Sequence, residues 1–289
     1  MTVLPFGNPW ASAGLKRLED IPEPKPRQTW QTGFAGLAGK VALAPGMVSV
    51  VTGMPGSGKT FLWAQIWNYV VEKYDLVALI ASFECPVRPD YLRYLREFKL
   101  MRREKHASPE ELQRIDQKVA EHYRFLEHPD ETPSIEWLIE MAQIAVVRDG
   151  AKIVQIDPWN RLESQRGEGE NETEYVLRCL RMFTVFAKAF DVHVQIVAHP
   201  AKRDPRRRDQ PPEMEDVSGS QNWWNVPDQG FVVHRPKFWD AHGDRCYDAI
   251  FYQRKARFED LGYPCAIGIR FDPIDRRFKE RDLGRGEAE

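Results

Sequence analysis

The 289-residue sequence has no apolar run approaching the length of a membrane span, and its N-terminus lacks the apolar core behind basic residues that marks a secretory leader. A soluble, intracellular protein with no membrane contact is expected. Cysteine is scarce: Cys85, Cys179, Cys246 and Cys265 stand far apart, with no C-x-x-C pair and no histidine at zinc spacing. That excludes a disulfide framework or a structural zinc site and fits reduced thiols. An excess of one charge is missing too. With 41 Lys and Arg against 43 Asp and Glu the formal net charge is -2, so a generally basic nucleic-acid binder is excluded and any such contact has to come from a local patch. There is no internal repeat. The 42% hydrophobic content excludes disorder of the whole chain and supports one large α/β domain, with at most an appendage.

What the sequence does contain is a complete G-x-x-x-x-G-K-[ST] string, GMPGSGKT, formed by Gly53, Met54, Pro55, Gly56, Ser57, Gly58, Lys59 and Thr60. A β-branched stretch at 47–52 precedes it and an apolar helical stretch at 61–71 follows it, the order a phosphate loop requires. The glycines let backbone N–H groups curl around phosphates, the helix directs its positive end at them, Lys59 reaches the outer phosphates and Thr60 offers its hydroxyl to Mg²⁺. Such a string arises by chance in about one chain in a hundred of this size. Binding of ATP or another nucleoside triphosphate together with Mg²⁺ is expected.

Around this loop the sequence alternates between strand and helix. Buried parallel strands are predicted at 77–82, 153–157 and 192–198 from their β-branched, apolar texture, with helical periodicity between them. Ser108 and Glu111 form a capping box that opens a helix through about residue 121, a brief strand follows at 123–126, and Ser134 starts another helix within 133–147. After residue 220 the texture changes to strands at 230–234, 247–253 and 265–271 separated by turn residues, which predicts antiparallel strands at the end of the sheet. Residues 1–32 read as an arm or linker with a short helical stretch at 15–21, residues 33–280 as the ATPase domain, and 281–289 as a mobile tail.

Two acids fall at the carboxyl ends of predicted strands. Asp157 closes IVQID, where it can hold Mg²⁺ through water; the alternative is an Asp that caps the next turn. Glu84 follows the strand at 77–82, at a depth suited to orienting an attacking water; the alternative is a solvated carboxylate ahead of Pro86.

The ordered segments TGF (32–34), PGMVSVVTGMPGSGKT, SFE, IVQIDPWN, VHVQIVAHP, DVSGSQNWWN and KARF (255–258) resemble the RecA-like hexameric replicative helicases, which include bacterial DnaB, phage primase-helicases and mitochondrial Twinkle. The resemblance covers the chain from about residue 33 almost to its end and is closest to the phage and Twinkle-like branch. It implies a RecA-like P-loop NTPase core: a mostly parallel central sheet with antiparallel C-terminal strands and helices on both faces. It also implies an ATP-dependent DNA helicase of replication, working as a homo-oligomeric ring, a hexamer, on single-stranded DNA, with a primase and other replisome proteins as partners. A phage or phage-derived source fits, with a cytoplasmic location in a bacterial or infected cell. A RecA- or RepA-like module that binds single-stranded DNA without unwinding it is the alternative.

By the same resemblance Glu84 is the catalytic acid and His199 the sensor of the γ-phosphate, where DnaB itself usually carries Gln. Lys255 and Arg257 are paired cations that reach the neighbouring subunit's nucleotide, and Arg235 and Phe271 sandwich the base. Strand alternation puts Lys255 and Arg257 on one face; a basic strand edge that guards against aggregation is the other reading. The basic loop carrying Lys202, Arg203, Arg206, Arg207 and Arg208 follows His199 directly and is expected to track DNA phosphates, against the plainer reading of a solvated loop. Trp223 and Trp224 read either as base platforms or as packing residues. No cysteine-rich zinc module or acidic primase motif is present, so primer synthesis is not expected.

Overall fold

Strand β3, Val48–Thr52, is buried along its whole length, as a strand covered on both faces has to be. It lies near the middle of a nine-stranded sheet in a computed structural model that describes residues 16–23, 26–127, 133–162, 165–201, 210–217, 220–239 and 242–284. The other strands are β1 (Trp30–Gln31), β2 (Ala42–Leu43), β4 (Val77–Ser82), β5 (Tyr123–Leu126), β6 (Ala151–Asp157), β7 (His193–Val197), β8 (Gln229–His234), β9 (Asp248–Ala256), β10 (Cys265–Asp272) and β11 (Arg277–Arg281). The large sheet runs in the order β11-β10-β9-β8-β3-β7-β6-β4-β5. All pairs from β8 to β5 are parallel, and β9, β10 and β11 join antiparallel, as the sequence predicts for the C-terminal strands.

Helices cover both faces. Those on one side are α1 (Lys59–Tyr74), α2 (Leu92–Leu100) and α3 (Pro109–His122), which pack Leu62, Trp63, Ile66, Leu92, Leu95 and Val119 into one core layer. On the other side, α4 (Ile135–Asp149), α5 (Glu172–Phe190) and the short α6 (Asn222–Asn225) place Leu138, Ala142, Leu180, Phe183 and Trp223 in the second. Local chemistry sets the helix starts. Ser108 and Glu111 exchange the two hydrogen bonds of a capping box, Asn171 and Glu174 do the same for α5, and Ser134 accepts from Trp137 N at 3.2 Å. Trp223 is fully buried with its ring 5.1 Å from Trp159, so packing is its role, whereas Trp224 is half-buried.

At the N-terminal end a 3-10 turn, Leu18–Asp20, stands within the stretch read as helical. Three residues before the expected domain start, Trp30 is fully buried and belongs to the two-stranded β1-β2 sheet, and Arg27 already pairs with Asp260 at 2.5 Å and lies over the Phe258 ring at 4.7 Å. Strand β11 lies outside the sequence-based expectations. Its RFKER sequence is mostly charged, yet it pairs with β10 and buries Phe278 against α1, where Gln65 both donates to Phe278 O and accepts from Phe278 N. Among the described residues no helix is long and apolar enough to cross a membrane.

Candidate nucleotide site

The loop between β3 and α1 is held by close backbone packing. Gly53 sits at φ 154°, and a Cβ there would lie 2.3 Å from Val233 O; Gly58, at φ 93°, precedes the first residue of α1, and its Cβ would meet the Phe278 ring at 3.0 Å. Only glycine meets both demands without displacing neighbours. Lys59 is 5% exposed and curls back to donate to Gly53 O at 2.7 Å and Met54 O at 3.1 Å. Burial lowers its pKa to about 8, partly offset by the nearby Asp157 and Glu84 carboxylates.

Strand β6 is not adjacent to β3; β7 lies between them. Even so, Asp157 at the end of β6 accepts from Thr60 Oγ1 at 2.8 Å, so the two residues expected at the metal meet at the start of α1. Asp157 is almost completely buried, which raises its pKa, while the Thr60 hydroxyl and Lys59 pull it down. Because β4 pairs with β6, Phe83 N donates to Asp157 O at 2.8 Å and Glu84 projects beside it. His199, two residues after β7, donates from Nε2 to Glu84 Oε2 at 3.2 Å, and its backbone N donates to Asn160 Oδ1 at 2.9 Å. Lys59, Thr60, Glu84, Asp157 and His199 line one cavity of about 450 Å³.

Arg235 and Phe271 also fall together. They line a second cavity, of about 310 Å³, which shares Gly56, Gly58 and Phe61 with the first. The Phe271 ring lies 5.0 Å from Phe61, 5.5 Å from Phe278 and 6.0 Å from Tyr247, while Arg235 stacks over Phe238 at 4.7 Å.

Lys255, in β9, and Arg257, one residue past its end, reach the same side and both donate to Asn225 O, but they lie far from the chain's own phosphate loop. Lys255 is level with Gly230, and Gly230 with Val50, so the pair sits toward the amino edge of β3 whereas the loop leaves the carboxyl edge. That is a separation of roughly 10 Å along the strands, with β8 in between as well. Both cations dock on the end of α6: Lys255 donates to Trp224 O and Asn225 O, and Arg257 to Asn225 O at 2.7 Å and Val226 O at 2.9 Å. Burial and the adjacent Arg257 bring Lys255 down to about 8.

The predicted DNA-tracking residues Lys202, Arg203, Arg206, Arg207 and Arg208 lie outside the described residues. Site residues that carry no assignment from sequence include Asn160, three positions after Asp157 in IVQIDPWN, and Cys85 and Tyr94, which line the phosphate cavity. Burial pushes the Cys85 thiol up to about 11, which leaves it without thiolate character. Asn160 is legible only as part of a motif, because its job is to hold a backbone group 39 residues away.

The sequence model of the DnaB-like helicase C terminal domain matches residues 30–265. The chain is 33% identical over 215 residues to the Twinkle homolog protein, chloroplastic/mitochondrial, of Arabidopsis thaliana, which covers 71% of this chain and 30% of that protein; the chain thus spans under a third of that relative's length. Among solved structures, a DnaB-like replicative helicase, described together with its interactions with primase, superposes with a TM-score of 0.67 at 16% identity over 88% of this chain and 62% of that one. A second solved structure, described as an ATPase domain, gives 0.64 at 16% identity, covering 82% of this chain and 85% of that one. At that identity the structural likeness shows the RecA-like ATPase fold.

Proposed function

We propose, from the premise that the chain belongs to the DnaB-like helicase C-terminal domain family, that it is the motor of a replicative DNA helicase: it hydrolyses a nucleoside triphosphate between subunits of a ring, a hexamer, and draws single-stranded DNA through the centre. The observation that carries this reading is the convergence of Lys59, Thr60, Glu84, Asp157 and His199 on one cavity while Lys255 and Arg257 face away from it.

The donor set fits Mg²⁺. Thr60 and Asp157 offer hard oxygen atoms 2.8 Å apart, and a carboxylate whose pKa burial raises gains from a cation. Bound there, Mg²⁺ supplies neutralising charge for the phosphate oxygens. Lys59 exchanges the Gly53 and Met54 carbonyls for phosphate oxygens. Glu84, whose side chain is 55% exposed, reaches the cavity with a free carboxylate oxygen and orients the attacking water, taking its proton. His199 holds the other carboxylate oxygen, and because the basic loop begins three residues later, it links the state of Glu84 to DNA contact by Lys202, Arg203, Arg206, Arg207 and Arg208.

Lys255 and Arg257 cannot reach their own loop, so any phosphoryl group they stabilise belongs to a neighbour. An Arg in that role is worth about 10³ or more in rate. Arg235 and Phe271 hold the base. A primase and other replisome proteins are proposed partners of the full polypeptide. Hydrolysis measured across a protein concentration series tests the assignment. It should rise steeply with concentration, increase with single-stranded DNA and vanish in Lys59→Ala; a rate linear in protein and indifferent to DNA would refute it. A forked duplex separates the helicase from a coating module, because only the helicase releases a strand in the presence of triphosphate.

A further inference from the structure

The side chains around the base cavity are rich in hydrogen-bond donors, and the hydroxyls of Ser57 and Tyr247 are the side-chain acceptors among its lining residues. Four guanidinium groups, Arg103, Arg235, Arg245 and Arg276, line it together with Phe61, Tyr247, Phe271 and Phe278, and no carboxylate or carboxamide side chain is among the lining residues. Arg276 is committed to Glu97, which is 3% exposed and accepts its Nε–H at 2.6 Å. Arg235 reaches only carbonyls, Gly56 O at 3.5 Å and Cys246 O, and its buried Nε has no partner. Arg103 and Arg245 form no ion pair among the described residues. The cavity therefore presents three uncompensated guanidinium groups, which have donors and no acceptor.

A neutral base stacks on arenes and guanidinium planes whatever its identity. Its edge does not. Beside the ring acceptors that every base carries, guanine, uracil and thymine present an exocyclic oxygen that accepts from Arg, where adenine and cytosine present an amino group that only donates. An amino group set against these donors forfeits the charge-assisted contact that an oxygen makes there, so the amino base binds less tightly.

We propose that this cavity selects keto bases, so that guanosine, uridine and thymidine triphosphates are preferred over adenosine and cytidine triphosphates. The inference rests on the triphosphate site described above and names which substrates it takes. Arg103 and Arg245 are the selecting residues, and Phe271 is a platform that serves every base alike.

Two pairs of probes isolate the exocyclic group: inosine against adenosine triphosphate, and uridine against cytidine triphosphate. In competition against a labelled non-hydrolysable triphosphate with Mg²⁺, the keto member of each pair should bind about tenfold more tightly or better, the discrimination of one good Arg–base contact. Both arginines are exposed, so Arg103→Gln and Arg245→Gln leave the core intact while supplying an acceptor; at least one should collapse the ratio toward one. Phe271→Ala should weaken all four nucleotides in parallel. Equal affinities within each pair, or a ratio unmoved in both Gln variants, would overturn base selection while Lys59-dependent binding upheld the triphosphate site. Absence of Lys59-dependent binding for every triphosphate would overturn both.

Discussion

Replacing Lys59 with methionine should stabilise the nucleotide-free protein while abolishing triphosphate binding. Methionine keeps most of the length of the side chain and its apolar stem but removes the ammonium of a residue that is only 5% exposed. Lowering a lysine from the ordinary 10.5 to about 8 corresponds to about 3 kcal/mol held against the folded state at neutral pH. The unfolded chain binds this proton more tightly than the folded one, so between pH 8 and 10.5 the unfolded state carries more protons and stability rises with pH. Below pH 8 the full cost is present; above 10.5 it is gone. Urea denaturation of the two proteins at pH 7 and at pH 9.5 reads the effect directly. We expect Lys59→Met to be more stable at pH 7 by about 1 to 3 kcal/mol, with the gap shrinking at pH 9.5. A variant of equal or lower stability at pH 7, or a gap that does not depend on pH, would show that the Gly53 and Met54 carbonyls compensate the buried charge and would refute the reasoning.

Other substitutions follow from the same geometry. Glu84→Gln should retain nucleotide affinity and lose about 10² to 10⁴ in single-turnover hydrolysis, because it keeps the shape and loses the base; hydrolysis at the parent rate would remove Glu84 from the chemistry. Arg257→Ala should bind nucleotide normally and lose DNA-stimulated turnover, and mixing it with Glu84→Gln subunits should restore part of the activity; mixed samples no faster than either parent would count against a shared site. Gly262→Ala should lower the melting temperature by several degrees or prevent folding, since at φ 97° its Cβ would stand 1.8 Å from Lys40 O where the chain bridges Val41; an unchanged melting curve would refute it.

Much of the fold is legible in the sequence because the signals are short in range. The strands at Val77–Ser82 and Tyr123–Leu126 have the predicted bounds, and the box at Ser108 and the cap at Ser134 work as their residue types require. Charged β11 escapes such reading because its pattern carries no alternation; β10 offers the hydrogen bonds, and one buried aromatic, Phe278, anchors it. Trp30 reads as part of the arm because its neighbours are polar and rich in proline, and it is tertiary packing, with β2 beside it and the His193 ring of β7 at 6.5 Å, that gives it a place to be buried. At the site, the resemblance supplies the roles of His199, Arg235, Phe271 and the Lys255–Arg257 pair, which no local pattern carries.

Taken alone, the sequence determined the phosphate loop, the strand and helix that flank it, and the two acids that end strands, since each is a matter of spacing within a few residues. Tertiary structure decided which of them meet. Inserting β7 between β3 and β6 brings His199 to Glu84 in the cavity that Lys59 and Asp157 line, and folding β9 and β10 back antiparallel carries Phe271 to the loop while leaving Lys255 and Arg257 at the opposite edge. Strand order is fixed by pairing backbone groups far apart in the chain and by burying both sheet faces at once, and neither constraint is written in any one stretch of residues.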